Sequence, residues 1–320
     1  MQFNDCVQDE HMMPADRNSA PKPRQHPPIC DYEGSNYRTE FWEGKGRNYE
    51  DRVERIALRR LLPSSGQRLL EVGAGFGRLT GEYHAYQQVV LLDYSLSQLQ
   101  YAQEQLGRSE RFVYVAADAY KLPFVAGAFD GVTMIRVIHH MAHVDAVLKQ
   151  VRRVLTSGGT FVLEHANKRN LKSIVRYALK KQTWNPHDLA PVEFVELNFD
   201  FHPEYILREL KTAQFDVRTR IPVSFFRLNA LKNAVPTGVL AGLDGLLQTT
   251  GVLLSPSVFV KSTAVGDSLD NLKASTIFAC PECGGPLTPQ RDAVLCQREG
   301  LRWAVRDGIY DFKAPLENDL

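Results

Sequence analysis

Cysteine is scarce, charge is nearly balanced and long apolar runs are missing; each shortage narrows what the chain can be. Five cysteines in 320 residues cannot staple a fold of this size, and they are uneven: Cys6 and Cys30 early, Cys280, Cys283 and Cys296 late. That usage suits reduced thiols inside a cell. A net charge of +1 lacks the basic excess of a chain built chiefly to hold nucleic acid. No apolar run reaches the roughly 18 residues of a membrane span, because Asp244, Gln248 and Pro256 interrupt the richest region, Val235 to Val260. The opening residues show no signal-like apolar segment, so a cytoplasmic location is expected. At this length about three quarters of the unfolded surface is buried on folding, with room for roughly two domains.

What the chain does have begins at Leu69-Leu70-Glu71-Val72-Gly73-Ala74-Gly75-Phe76-Gly77, an apolar strand running through a carboxylate into glycines at alternate positions and then a helix-compatible segment. Without Cβ atoms the main chain turns sharply there and approaches a ligand closely. Asp93 closes a second apolar strand 20 residues past Gly73, where a nucleotide-binding α/β unit places an acid for ribose hydroxyls. A dinucleotide fingerprint needs glycine or alanine where Arg78 stands, which disfavours a pyrophosphate turn and a nicotinamide-dependent oxidoreductase. Glu71 also suits a cationic ligand better than a phosphate.

These residues resemble the first motif of class I S-adenosylmethionine-dependent methyltransferases of the type 11-like group. The resemblance runs from about Leu69 to Lys261, through Val89-Val90-Leu91-Leu92-Asp93-Tyr94, Ala117-Asp118-Ala119, Leu122-Pro123-Phe124, Phe129-Asp130 and Leu155-Thr156-Ser157-Gly158-Gly159. It implies that Gly73, Gly75 and Gly77 lie under the methionine and ribose portions of the cofactor, and that Glu71 helps hold the methionine amino group. Asp93 would accept from the ribose hydroxyls, Tyr94 would lie beside the adenine, Asp118 would accept from the adenine amino group, and the Ala119 N–H would meet a ring nitrogen. The alternative is that each acid only caps the helix after it.

Alternating strand and helix signals predict a doubly wound, mostly parallel α/β sheet of seven strands, Rossmann-like, with a small C-terminal β module. The resemblance implies an antiparallel last strand. Residues 1–36 are polar and proline-rich and read as a disordered tail; 37–264 form the cofactor domain, 265–275 a linker and 276–320 the module. A helix is expected over Tyr49 to Leu62, stopped by Pro63, with packing on the sheet favoured over covering the cofactor mouth. Ser95-Leu96-Ser97-Gln98 has capping-box spacing. Gly158 and Gly159 suit the C-terminal cap of a helix over Val144 to Leu155.

Methyl transfer asks little of side chains, because the sulfonium is already activated and the protein chiefly orients and dehydrates. Arg136, His139 and His140 sit where the fourth strand ends and are the substrate-side candidates: histidine can take a proton near neutral pH, and Arg136 can grip an anion. The competing reading, which is favoured, makes them polar loop residues or satisfied partners at a strand edge, and no catalytic residue is assigned. Between Asn167 and Lys181, six basic residues and no acid accompany Leu171, Ile174, Val175 and Ala178 at helical spacing. A phosphate-bearing substrate, nucleic acid and an anionic membrane surface are the candidate partners, and a solvated face is favoured over all three.

Cys280-Pro281-Glu282-Cys283 and Cys296 are candidate zinc ligands, but the place of a fourth is held by Glu299. Cys280 to Phe312 resembles the small zinc-ribbon-like partners that activate methyltransferases. A metal-free module is favoured over a zinc site. The expected function is S-adenosylmethionine-dependent methylation of a small or lipid-like acceptor, with tRNA or protein acceptors behind it and a non-catalytic cofactor binder as the rival. The sequence does not define the oligomeric state.

Overall fold

The computed structural model describes residues 27–35, 39, 42 and 47–317. In chain order the elements are α1 (Asn48–Leu61), β1 (Gly66–Val72), β2 (Tyr86–Asp93), α2 (Leu96–Leu106), β3 (Phe112–Ala116), β4 (Phe129–Met134), α3 (Val144–Val154) and β5 (Leu155–Ala166). Then come α4 (Leu171–Ala178), β6 (Val192–Val195), β7 (Asn198–Asp200), α5 (Pro203–Thr212), β8 (Phe215–Val223), α6 (Asn229–Ala234), α7 (Thr237–Leu247) and β9 (Ser257–Ala264). Four short strands finish the chain: β10 (Leu287–Pro289), β11 (Ala293–Cys296), β12 (Arg302–Arg306) and β13 (Ile309–Asp311).

β1, β2, β4 and β5 are apolar on both faces because helices cover both sides of the sheet. The ring of Tyr86 crosses the sheet over two glycines; a Cβ at Gly66 would lie 2.1 Å from it and one at Gly131 2.3 Å from its hydroxyl. The seven expected strands lie in the order β3-β2-β1-β4-β5-β9-β8, with β9 antiparallel to both neighbours. The order reverses between β1 and β4, and a ligand crevice opens outside the carboxyl ends of strands at such a point.

The module is not a separate bead. β13 pairs in parallel with β3, Ile309 opposite Tyr114 and Asp311 opposite Ala116, so one sheet of eleven strands runs through both units. Phe278 lies against Phe124, with ring centroids 5.9 Å apart, and the Val125 N–H donates to the Ile277 carbonyl. The expected linker is fastened too: Arg152 donates to the Val265 carbonyl and the Asn271 N–H to that of Gly127. Backbone pairing, not composition, decides this segment.

Three local expectations change. Residues 27–35 of the expected tail pack on the domain, with Glu33 accepting from the Leu96 and Ser97 amides at the start of α2; the rest of the tail lies outside the described residues. α3 ends at Val154 because Leu155 is already extended, and Gly158 and Gly159 form an irregularity within β5 rather than a helix cap. The segment after Gly77 is a turn with a short 3-10 helix, Thr80–Glu82, rather than an α-helix. Ser95 does cap α2, accepting from the Gln98 N–H at 3.3 Å.

Candidate functional site

A cleft of about 790 Å³ lies at the reversal point, lined by Gly73, Gly75, Asp93, Tyr94, Asp118 and Ala119 on one side and by Tyr120, Arg136, His140 and Met141 on the other. Tyr32 also lines it. A neighbouring lobe of about 450 Å³ shares Gly73 and Gly75 and adds Glu71, Arg78 and Trp42. The structure therefore gathers every cofactor-side candidate around the two lobes, apart from Gly77, which has φ +77° in the same turn and faces Ala102 and Leu106 of α2.

The glycine turn has its shape for stated reasons. Gly73 has φ +70°, and a Cβ there would lie 2.1 Å from Val137 Cγ2; Gly75 has φ +52° and faces open space. Asp93 ties the turn to α2: one carboxylate oxygen accepts from the Gly75 N–H at 2.7 Å and the other from the Ser95 N–H at 2.9 Å. Asp118 similarly accepts from the Tyr120 N–H at 2.8 Å. The chemistry of the wall suits an adenosyl group: carboxylates for its hydroxyl and amino donors, and Val72, Leu92 and Val137 for its apolar faces.

Glu71 is buried and accepts from Thr80 Oγ1 at 2.6 Å and from the Tyr83 hydroxyl at 3.2 Å. Burial pushes its carboxyl up to about 7, against the pull of those hydrogen bonds and of Arg78. An ammonium group bound here needs the ionised form. Binding at pH 6 is therefore expected to release about one proton, and none at pH 9. Calorimetry in two buffers of unlike ionisation heat reads this directly, and Glu71→Gln should remove the difference between them.

On the acceptor side the candidates separate. Arg136 is committed: its guanidinium pairs with Glu54, which is fully buried and also holds Arg78 at 2.7 Å. Burial alone would raise the Glu54 carboxyl, but Arg136 and then Arg78 hold it down at about 2. Both guanidiniums lie over the Trp42 ring, at 3.7 Å for Arg78 and 5.2 Å for Arg136. The Arg136 N–H also donates to Glu164. His140 is differently placed. Its Nδ1 lies 2.8 Å from the Leu197 carbonyl, which fixes Nδ1 as the donor and leaves Nε2 as an acceptor, 3.4 Å from the Tyr32 hydroxyl. Burial lowers its pKa, opposed by the Leu197 carbonyl, so the ring is neutral at neutral pH. His139 packs on it, ring centroids 4.1 Å apart, and its buried Nδ1 has no partner among the described residues.

Two further residues escape a reading of the sequence. Arg227, just past β8, has a buried Nε with no partner and forms no ion pair among the described residues. Asp200 ends β7, accepts no side-chain donor among the described residues, and is pushed up to about 7 by burial, against Arg227. No motif marks either residue; only the fold brings them toward Glu164 and His139, whose titration Arg227 also influences.

The thiols of Cys280, Cys283 and Cys296 lie within 4.8 Å of one another. Two similar knuckles present them: the Gly284 N–H donates to the Cys280 carbonyl and the Gly300 N–H to that of Cys296. Glu299, at the fourth place, is exposed and outside the cluster. Among the described residues the set stops at three sulfurs, short of the four ligands of a structural zinc site, and no role is derived from a metal.

Residues 70–163 match the model of a methyltransferase-domain family. The chain is 31% identical to the O-methyltransferase cnsE of Penicillium expansum over 147 residues, 42% of this chain and 52% of that protein. It is 30% identical to the 27-O-demethylrifamycin SV methyltransferase of Amycolatopsis mediterranei over 138 residues, 41% of this chain and 51% of that protein. With the ubiquinone/menaquinone biosynthesis C-methyltransferase UbiE of Pseudomonas putida it shares 34% identity over 106 residues, 31% of this chain and 41% of that protein. The chain thus spans about half the length of the curated relatives it matches, or less. Fold, cleft and family match together define a Rossmann-like methyltransferase domain. Its cofactor is S-adenosylmethionine.

Proposed function

We propose that the protein transfers a methyl group from S-adenosylmethionine to a hydroxyl of a small or lipid-like acceptor, with His140 as the base. The observation that carries this is one cleft holding both the glycine turn with Asp93 and His140, whose Nε2 is the acceptor nitrogen of the ring. The cofactor supplies a methyl carbon already activated on a positive sulfur. Glu71 would hold its amino group, Asp93 its ribose and Asp118 its adenine.

The acceptor hydroxyl loses a proton as its oxygen takes the methyl group, and His140 Nε2 is the atom set to receive it. The Leu197 carbonyl holds the ring in the required tautomer and steadies the charge that forms on it. Arg136 is already neutralised by Glu54 and is not assigned to the acceptor. The two O-methyltransferase relatives support an oxygen acceptor, as far as half-length similarity reaches.

The test is transfer of labelled methyl from S-adenosylmethionine to a panel of hydroxylated aromatics and quinols. Turnover with none of them, despite cofactor binding, would favour a non-catalytic binder. His140→Gln is expected to lower kcat by about 100-fold. A base works unprotonated, so the wild-type rate falls with decreasing pH only through the depressed pKa of His140, below the ordinary 6.5. In His140→Gln that acid limb should vanish from the kcat profile; a limb that persists assigns the proton elsewhere.

A further inference from the structure

α4 faces the wrong way for a helix that belongs only to a soluble globule. Its apolar residues at i, i+4 and i+8 point outward: Leu171 is 56% exposed, Val175 46% and Leu179 60%. The side turned inward instead buries Ser173, and Asn170 caps that turn. One position on from the apolar residues, Lys172 and Arg176 are exposed on the helix, and Lys180 is exposed in the turn that follows it.

This is not the scatter of single apolar residues found on any surface. Seven of the fourteen exposed large apolar side chains among the described residues fall between Leu171 and Val195, including Phe194 on the β6–β7 hairpin. A purely solvated face would not concentrate them, and a core-packed helix would not expose them. No acid occurs from Asn167 to His187, so the flanking charge is of one sign. No described helix is long and apolar enough to cross a membrane; an apolar stripe edged with lysine and arginine is the pattern of a helix lying in a lipid interface.

We propose that the outer face of α4 docks the protein on an anionic lipid surface. The apolar row enters the boundary between headgroups and acyl chains, and the basic residues meet lipid phosphates. The same insertion supplies the Leu197 carbonyl that holds His140. The docking itself does not rest on the proposed methyl transfer.

Sedimentation of the full-length protein with vesicles tests it without any turnover assay. Binding to equimolar phosphatidylglycerol and phosphatidylcholine is expected to be about 10-fold tighter or more than to phosphatidylcholine alone, and to weaken with salt. The paired change Leu171→Glu with Val175→Glu touches only exposed positions, so it should keep the wild-type melting temperature and S-adenosylhomocysteine affinity while losing vesicle binding at least about 10-fold. Lys172→Gln, Arg176→Gln and Lys180→Gln together should erase the preference for the anionic lipid. A full-length chain that stays in the supernatant overturns the proposal, as does a Leu171→Glu, Val175→Glu chain that binds like wild type. Binding to tRNA in place of vesicles, or a dimer that the paired change splits with no lipid present, assigns the face to another occupant and likewise overturns it.

Discussion

Gly75→Val should abolish measurable binding of S-adenosylmethionine while leaving a folded protein. A side chain at this position meets no protein atom within 4 Å; it projects into the space shared by the two lobes of the cleft. The loss should exceed about 100-fold in affinity, roughly 3 kcal/mol, because the methyls occupy ligand volume and the shifted turn pulls the Gly75 N–H from Asp93. The left-handed φ of +52° costs a β-branched residue about 1–2 kcal/mol in the fold, so the melting temperature should fall only a few degrees. Calorimetry beside a thermal melt separates the effects. A variant that binds as wild type would move the ligand away from the glycine turn.

The second large effect concerns stability. Phe278 is 8% exposed and lies between the two units, against Phe124 on one side and Tyr310 and Phe312 on the other. Phe278→Ala should cost about 3–5 kcal/mol and lower a single shared melting transition by roughly 10 °C. Lys121→Ala, which removes the exposed bridge to Glu282 across the same junction, should change stability by less than about 1 kcal/mol. If the module were an independent bead, Phe278→Ala would split the melt in two and leave the cofactor domain's transition in place. Differential scanning calorimetry tells these outcomes apart.

The parts of this molecule that local chemistry dictates were readable without coordinates. Alternate glycines after an apolar strand leave few choices of backbone, and the seven strand signals, the Ser95 cap and the acid at Asp93 follow from residue type and spacing alone. The parts set by long-range pairing were not. Residues 265–275 have a linker's composition, and nothing in Gly266-Asp267-Ser268 announces that Arg152 will bind its carbonyls. Arg227 stands alone between Phe226 and Leu228, and Asp200 between two phenylalanines, so neither presents a pattern until β5, β7 and β8 converge. Helix α4 was legible as amphipathic, but periodicity cannot say which face the fold turns outward.

The pairing of β13 with β3 also bears on how the chain is made. The two strands are joined by register partners about 195 residues apart, Tyr114 with Ile309, so synthesis of the inner strands finishes long before their outer neighbour leaves the ribosome. Until then β3 stands as an open edge with unsatisfied amides and carbonyls, the kind of template that recruits strands from other nascent chains. Chaperone demand should therefore last until residues 309–311 have emerged. A premature stop ahead of residue 309 would yield aggregates rather than a smaller working enzyme.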